Sequence, residues 1–101
     1  MRIMLFFDLP SVTKEELKSY RHFIKNLKKN GFYMLQESVY VKMAIDSQVT
    51  ISTINKIKSF LPPKGNIIVL SLTEKQFSNM EILLGENQTN VETSDERFLV
   101  L

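Results

Sequence analysis

The sequence holds no cysteine and no tryptophan, a single histidine, three glycines and three prolines in 101 residues. The missing cysteines exclude disulfides, thiolate metal sites and a cysteine nucleophile together. With one histidine besides, no zinc-ligand spacing can be assembled. Three scattered glycines leave no Gly-rich loop to cradle a phosphate through its backbone amides. Long apolar runs are missing too. No stretch approaches the ~20 apolar residues a membrane span needs, and Asp8 interrupts the opening segment MRIMLFFDLP too early for a signal-peptide core. The expectation is a soluble, cytoplasmic protein with no membrane partner.

What is present reads as one small globular domain, with 44% hydrophobic and 24% charged residues. Residues 1–101 are expected to form a single unit, with 85–101 as a loop and a C-terminal strand. A domain this size buries a modest fraction of its surface, which suits a core shared with a partner subunit. Net charge is only +2, but residues 1–50 carry eight Lys/Arg against five Asp/Glu, and residues 51–101 five against six. The positive excess is therefore local, and it falls mostly on one predicted helix.

RIMLFFD (2–8), closed by Leu9-Pro10, reads as a buried central strand. Thr13-Lys14-Glu15-Glu16 is a capping box that opens a helix running to about Lys29, where Asn30-Gly31 is a natural stop. At 100° per residue, Leu17, Tyr20, Phe23, Ile24 and Leu27 share one side. Lys14, Lys18, Arg21, Lys25, Lys28 and Lys29 fall within an arc of roughly 100° on another. FYMLQ (32–36) and SVYVKMAI (38–45) follow as a hairpin with no Asn-Gly signal. In the second of these, alternation assigns Val39, Val41, Met43 and Ile45 to the buried face. A helix over about Gln48–Leu61 is expected to turn Ile51, Ile54, Ile57 and Leu61 inward and to end at Pro62-Pro63. NIIVLSL (66–72) is a strand, Thr73-x-x-Gln76 opens a short helix, Ile82-Leu83-Leu84 reads as a short strand, and RFLVL as a last one. The order β-α-β-β-α-β with a C-terminal extension predicts an α+β, ferredoxin-like antiparallel sheet with both helices on one face. A terminal strand on a polar tether can cover its apolar edge by joining the sheet of a second copy.

Asp8 is the first chemical candidate, because a charge after a run of core residues has no packing purpose. The competing reading is a turn residue ahead of Pro10. One carboxylate per chain is too few for Mg²⁺-dependent hydrolysis, whereas a two-fold dimer would supply a pair. The basic ridge is the second candidate. Six cations along four helical turns suit a phosphate backbone better than a small anion, against the plainer reading of a solvated face. His22 lies beside the ridge and reads as an ordinary surface residue. Ser38 has no partner to activate it as a nucleophile. Gly31-Phe32-Tyr33 is only a fragment of an RNA-recognition pattern, and the aromatic residues Phe6, Phe7, Tyr20, Phe23 and Phe32 fit a core.

Together these segments resemble the family called CRISPR-associated protein two. FFDLP followed by KEELKSYRHFIKNLKKNGF resembles its first strand, its metal-site Asp and its first helix. LQESVYVK resembles its Gln-x-Ser-Val-aromatic segment. PPKGNIIVLSLTEKQFSNMEILLGE and SDERFLVL resemble the second half of the variants that accompany single-effector, type II systems. The resemblance implies a ferredoxin-like homodimer in which Asp8 and its copy bind Mg²⁺ or another divalent metal shared across the dimer. It also implies spacer acquisition in antiviral defence: the dimer would bind duplex prespacer DNA and bridge dimers of the CRISPR integrase. Arg21 matches the family's helix-one Arg. Metal-dependent cleavage of DNA or RNA is implied for Asp8. No second acid stands beside Asp8, and Pro10 stiffens the loop after it, so a purely structural DNA-binding scaffold is the alternative expectation. The segment Asp95–Leu101 is the expected integrase contact.

Overall fold

A computed structural model describes residues 1–85. The expected C-terminal strand RFLVL, and the integrase contact assigned to it, lie outside the described residues. The elements run β1 (Arg2–Asp8), α1 (Lys14–Lys29), β2 (Tyr33–Gln36), β3 (Val39–Met43), α2 (Ser47–Lys58), β4 (Asn66–Leu72) and α3 (Glu74–Ser78). The described residues divide into two compact units, Met1–Ser71 and a second that begins at Leu72. Within the second, α3 is opened by a capping box between Thr73 and Gln76 and buries Phe77; of the strand expected over residues 82–84, only an isolated bridge at Ile82 is present.

The four strands lie in the order β2-β3-β1-β4. β1 runs antiparallel to β3, from Arg2 opposite Met43 to Phe6 opposite Val39, and β2 runs antiparallel to β3. This is the ferredoxin-like order expected from the sequence. Ile3, Leu5 and Phe7 of β1 share one core cluster with Phe23 and Leu27 of α1, Ile57 of α2 and Tyr40 of β3. Both long helices therefore cover the same face of the sheet.

Helix α1 forms for local reasons at both ends. The Thr13 hydroxyl accepts from the Glu16 N–H, while Glu16 Oε1 accepts from the N–H groups of Val12 and Thr13 at 3.0 and 3.1 Å. At the other end Gly31 takes φ +91°. Its N–H donates to the Lys28 carbonyl and that of Phe32 to the Leu27 carbonyl, the double closure of a Schellman motif. Phe32 and Leu27 are both buried beneath it.

Two face assignments are corrected by the structure. On β3, Tyr40 joins the core beneath the helices, with Ala44 beyond the strand's end, so the helix-facing side is the one assigned to solvent. Of the four residues expected inside, only Val41 is buried, while Met43 and Ile45 are exposed. Both faces of β3 carry apolar residues, and alternation groups them without saying which group meets the helices. On α2, the buried residues are Thr50, Thr53 and Ile57, whereas Ile51 and Leu61 are 54% and 49% exposed. The threonines can turn inward because a hydroxyl can return to the helix's own carbonyls; that of Thr50 donates to the Asp46 carbonyl at 3.2 Å. Asp46, not Gln48, sets the helix start, its carboxylate accepting from the Val49 N–H at 2.9 Å. The helix closes at Lys58, with Ser59 as its cap, before the two prolines are reached.

Candidate nucleic-acid and metal site

Asp8 is the last residue of β1 and is exposed. The residue before it fixes where it stands. Phe7 is buried, with its ring edge-on to Tyr20 and Phe23 of α1 at centroid distances of 6.3 and 5.6 Å, and tilted against Tyr40 at 5.7 Å. Its N–H donates to the Ser38 carbonyl at 3.1 Å. Burial pushes the Tyr40 phenol above its ordinary pKa, and the neighbouring Tyr20 adds to the effect, so Tyr40 serves as a neutral wall rather than as a base.

Ser38 does not begin β3. It sits in the β2–β3 turn at φ +68°, the one non-glycine in the left-handed region among the described residues. This explains how the hairpin closes without Asn-Gly. On the other flank of Asp8, Gly65 at φ +111° approaches the Asp8–Leu9 backbone. Sequence reasoning attached no role to Gly65; its only local signal is that it follows Pro62-Pro63-Lys64 in a turn.

No group of three or more His, Asp or Glu among the described residues is arranged to hold a metal ion. Asp8 therefore offers one carboxylate per chain. Mg²⁺ is commonly held by only one or two carboxylates, with waters and substrate phosphate completing its shell. By carboxylate count, one Asp8 side chain or a pair of them falls within that range.

Lys14, Lys18, Arg21, Lys25, Lys28 and Lys29 are all exposed on α1, as the periodicity predicts. The two acids of the helix, Glu15 and Glu16, are confined to its first turn. His22 borders the ridge and is tied to Asn26, whose Nδ2 donates to the His22 carbonyl at 2.9 Å and lies 3.2 Å from His22 Nε2.

A cavity of about 320 Å³ opens beside Asp8, lined among others by Leu9, Pro10, Tyr20, Pro62 and Lys64. The amides of Val12 and Thr13 are already held by Glu16, whose carboxyl those two bonds keep below its ordinary pKa of 4.5, with Lys64 contributing. A carboxyl lowered on folding stabilises the protein above its unfolded pKa, and that contribution fades as pH falls through the lower folded value. Glu16→Ala is therefore expected to be less stable than the parent at neutral pH. The difference should begin to shrink below pH 4.5 and go on shrinking as pH falls through the lower folded value, as followed by denaturant unfolding across pH.

Comparison with known proteins places these features. Residues 1–80 match the family model described as "CRISPR associated protein Cas2". Over 101 residues the chain is 48% identical to a CRISPR-associated endoribonuclease Cas2 of Ligilactobacillus salivarius, covering all of both chains. It is 45% identical to the like-named protein of Streptococcus mutans, covering all of this chain and 93% of that one. The crystal structure of Streptococcus pyogenes Cas2 at pH 6.5 shares the fold with a TM-score of 0.63 at 19% identity, over 84% of this chain and 100% of that one. The ferredoxin-like sheet, the acid at the end of its first strand and the basic first helix thus stand in a chain that belongs to the Cas2 family of CRISPR-associated proteins.

Proposed function

We propose that this protein acts in CRISPR spacer acquisition as a homodimer that grips the backbone of duplex DNA and bridges integrase dimers, with a metal-dependent endonuclease site at Asp8. The observation that carries this reading is the exposed ridge of six cations on α1. Over the 15 residue steps from Lys14 to Lys29 a helix rises about 22 Å. Six charges in that length approach the ~3.4 Å phosphate spacing of one DNA strand. Such contacts read charge and not base edges, which suits a protein that must hold spacers of any sequence.

Dimerisation is supported by the sheet face opposite α1 and α2. Ile68 and Leu70 of β4, Met43 of β3 and Tyr33 of β2 stand exposed there, an apolar patch that a second copy can cover by two-fold symmetry. Among the described residues β4 is also an outer strand of the sheet, where a C-terminal segment such as RFLVL of a second copy could add as a further strand.

In the nuclease step, the two Asp8 carboxylates would hold Mg²⁺ or another divalent ion, which when bound supplies a Lewis acid for the scissile phosphate. The chain's own part is positional: Phe7 fixes the end of β1, and the ridge anchors the flanking backbone. Relatives are named endoribonucleases, which makes RNA a second candidate substrate for the same site. The alternative reading, a scaffold without turnover, draws on the same ridge and on the single carboxylate per chain.

The test is salt-dependent binding of duplex DNA. If all six cations meet phosphates, log K against log salt should fall with a slope near −5 per subunit engaged. Reversing Lys18, Arg21 and Lys25 to Glu should weaken binding by at least about 10²-fold near 100 mM salt and flatten the slope by about three. Unchanged affinity and slope in a folded triple variant would rule the ridge out as the DNA surface.

A further inference from the structure

The two sides of Asp8 are built differently, and the difference lies in the backbone. Towards β3 the strand end is tied, Phe7 N–H donating to the carbonyl of Ser38 in its left-handed turn. Towards β4 it is held by close approach. A Cβ at position 65 would lie 2.5 Å from Leu9 Cδ2, 2.9 Å from the Asp8 carbonyl oxygen and 3.2 Å from Leu9 Cα. The first of these is the end of a flexible side chain and can rotate away. The other two are backbone and can yield only if the Asp8–Leu9 segment or the Gly65 segment itself moves.

We propose that Gly65 is a positioning residue for Asp8: its bare Cα sets where the Asp8–Leu9 backbone stands, and so where the carboxylate points. The inference rests on the reading of Asp8 as a metal ligand. A methyl group at Gly65 would have to push the Asp8 carbonyl from 2.9 Å to an ordinary contact of 3.4 Å or more. The Ser38 side is already pinned, so the displacement appears as a swing of the Asp8 side chain. A ligand pair shared across a two-fold axis feels such a swing twice, once in each subunit. Gly65 itself is exposed, so the L-face towards Asp8 is what the glycine keeps clear.

The experiment titrates Mn²⁺ into the full-length protein by calorimetry, with duplex DNA binding measured in parallel. Asp8→Ala should abolish Mn²⁺ binding. Gly65→Ala should weaken Mn²⁺ binding roughly tenfold or more while leaving duplex affinity unchanged. The double variant Gly65→Ala with Leu9→Ala should remain impaired, because the carbonyl contact survives loss of the side chain. Gly65→D-Ala, made by chemical synthesis, suits a positive φ and leaves the L-Cβ position empty; it should bind Mn²⁺ as the parent does, and it decides the matter if the L-variant fails to fold. Parental Mn²⁺ binding in a folded Gly65→Ala protein overturns the inference, as does loss of binding in the D-alanine protein. Parental binding in Asp8→Ala would instead remove the metal-ligand reading, and the role of Gly65 with it.

Discussion

Phe23→Ala is expected to cost about 3–5 kcal/mol of folding stability, read as a fall in the denaturant midpoint with little change in slope. Phe23 is fully buried on the inner face of α1, edge-on to Phe7 at 5.6 Å and 85° and tilted against Phe60 at 5.7 Å and 50°. Removing the ring takes away both aromatic contacts and leaves a cavity between α1 and the sheet that rigid strands cannot close. Domains of this size have only about 5–15 kcal/mol in total, and each kcal/mol lowers the melting temperature by roughly 4–8 °C. Ile51→Ala, on the outward side of α2, supplies the contrast and should cost well under half as much. A cost below about 1 kcal/mol for Phe23→Ala would contradict the packing described, since full burial of a Phe side chain alone is worth about 1.5–3 kcal/mol. The functional consequence is direct. α1 is held through its inner face alone, which leaves the whole outer face available for cations.

That division of α1 was legible in the sequence because everything defining it is local. The Thr13–Glu16 box, the Asn30-Gly31 stop and the 3.6-residue spacing all lie within one segment, and the structure repeats them. What depended on partners was not legible. β3 is apolar on both faces, and only its pairing with β1, Leu5 opposite Tyr40 and Met4 opposite Val41, settles which face meets the helices. α2 and the residues after it offered four isoleucine and leucine residues at helical spacing, yet only Ile57 took the inward face, with Thr50 and Thr53 beside it, while Ile54 and Leu61 line a groove with Ile67 and Val69 of β4. The site divides in the same way. A charge after an apolar run drew attention to Asp8 from the sequence alone. Ser38 and Gly65, which flank it, become visible only once the hairpin turn and the start of β4 are brought to the end of β1 by the fold.

Asp8→Ala separates the two readings of the family's chemistry. Metal-dependent cleavage is expected to fall by roughly 10²- to 10³-fold or more, whereas duplex binding should keep its affinity and its salt slope, because Asp8 is not part of the ridge. Instability cannot imitate this result. Asp8 is exposed at a strand end, and substitutions at such positions usually change stability by no more than about 0.5 kcal/mol. Asp8→Asn keeps the shape and one carbonyl oxygen while removing the charge, so equal loss in both variants would assign the effect to the charge. The decisive measurement is spacer integration in vitro with the proposed integrase partner. Retained integration in Asp8→Ala means that holding DNA is the protein's contribution and that cleavage is separable from it. Lost integration, in a variant still dimeric and still bound to duplex, means that the paired carboxylates belong to the mechanism and that the scaffold reading fails. The geometry favours the first outcome: six cations are spread along the full length of α1, while the proposed metal site draws on one Asp8 carboxylate per chain and, in that proposal, on a second subunit.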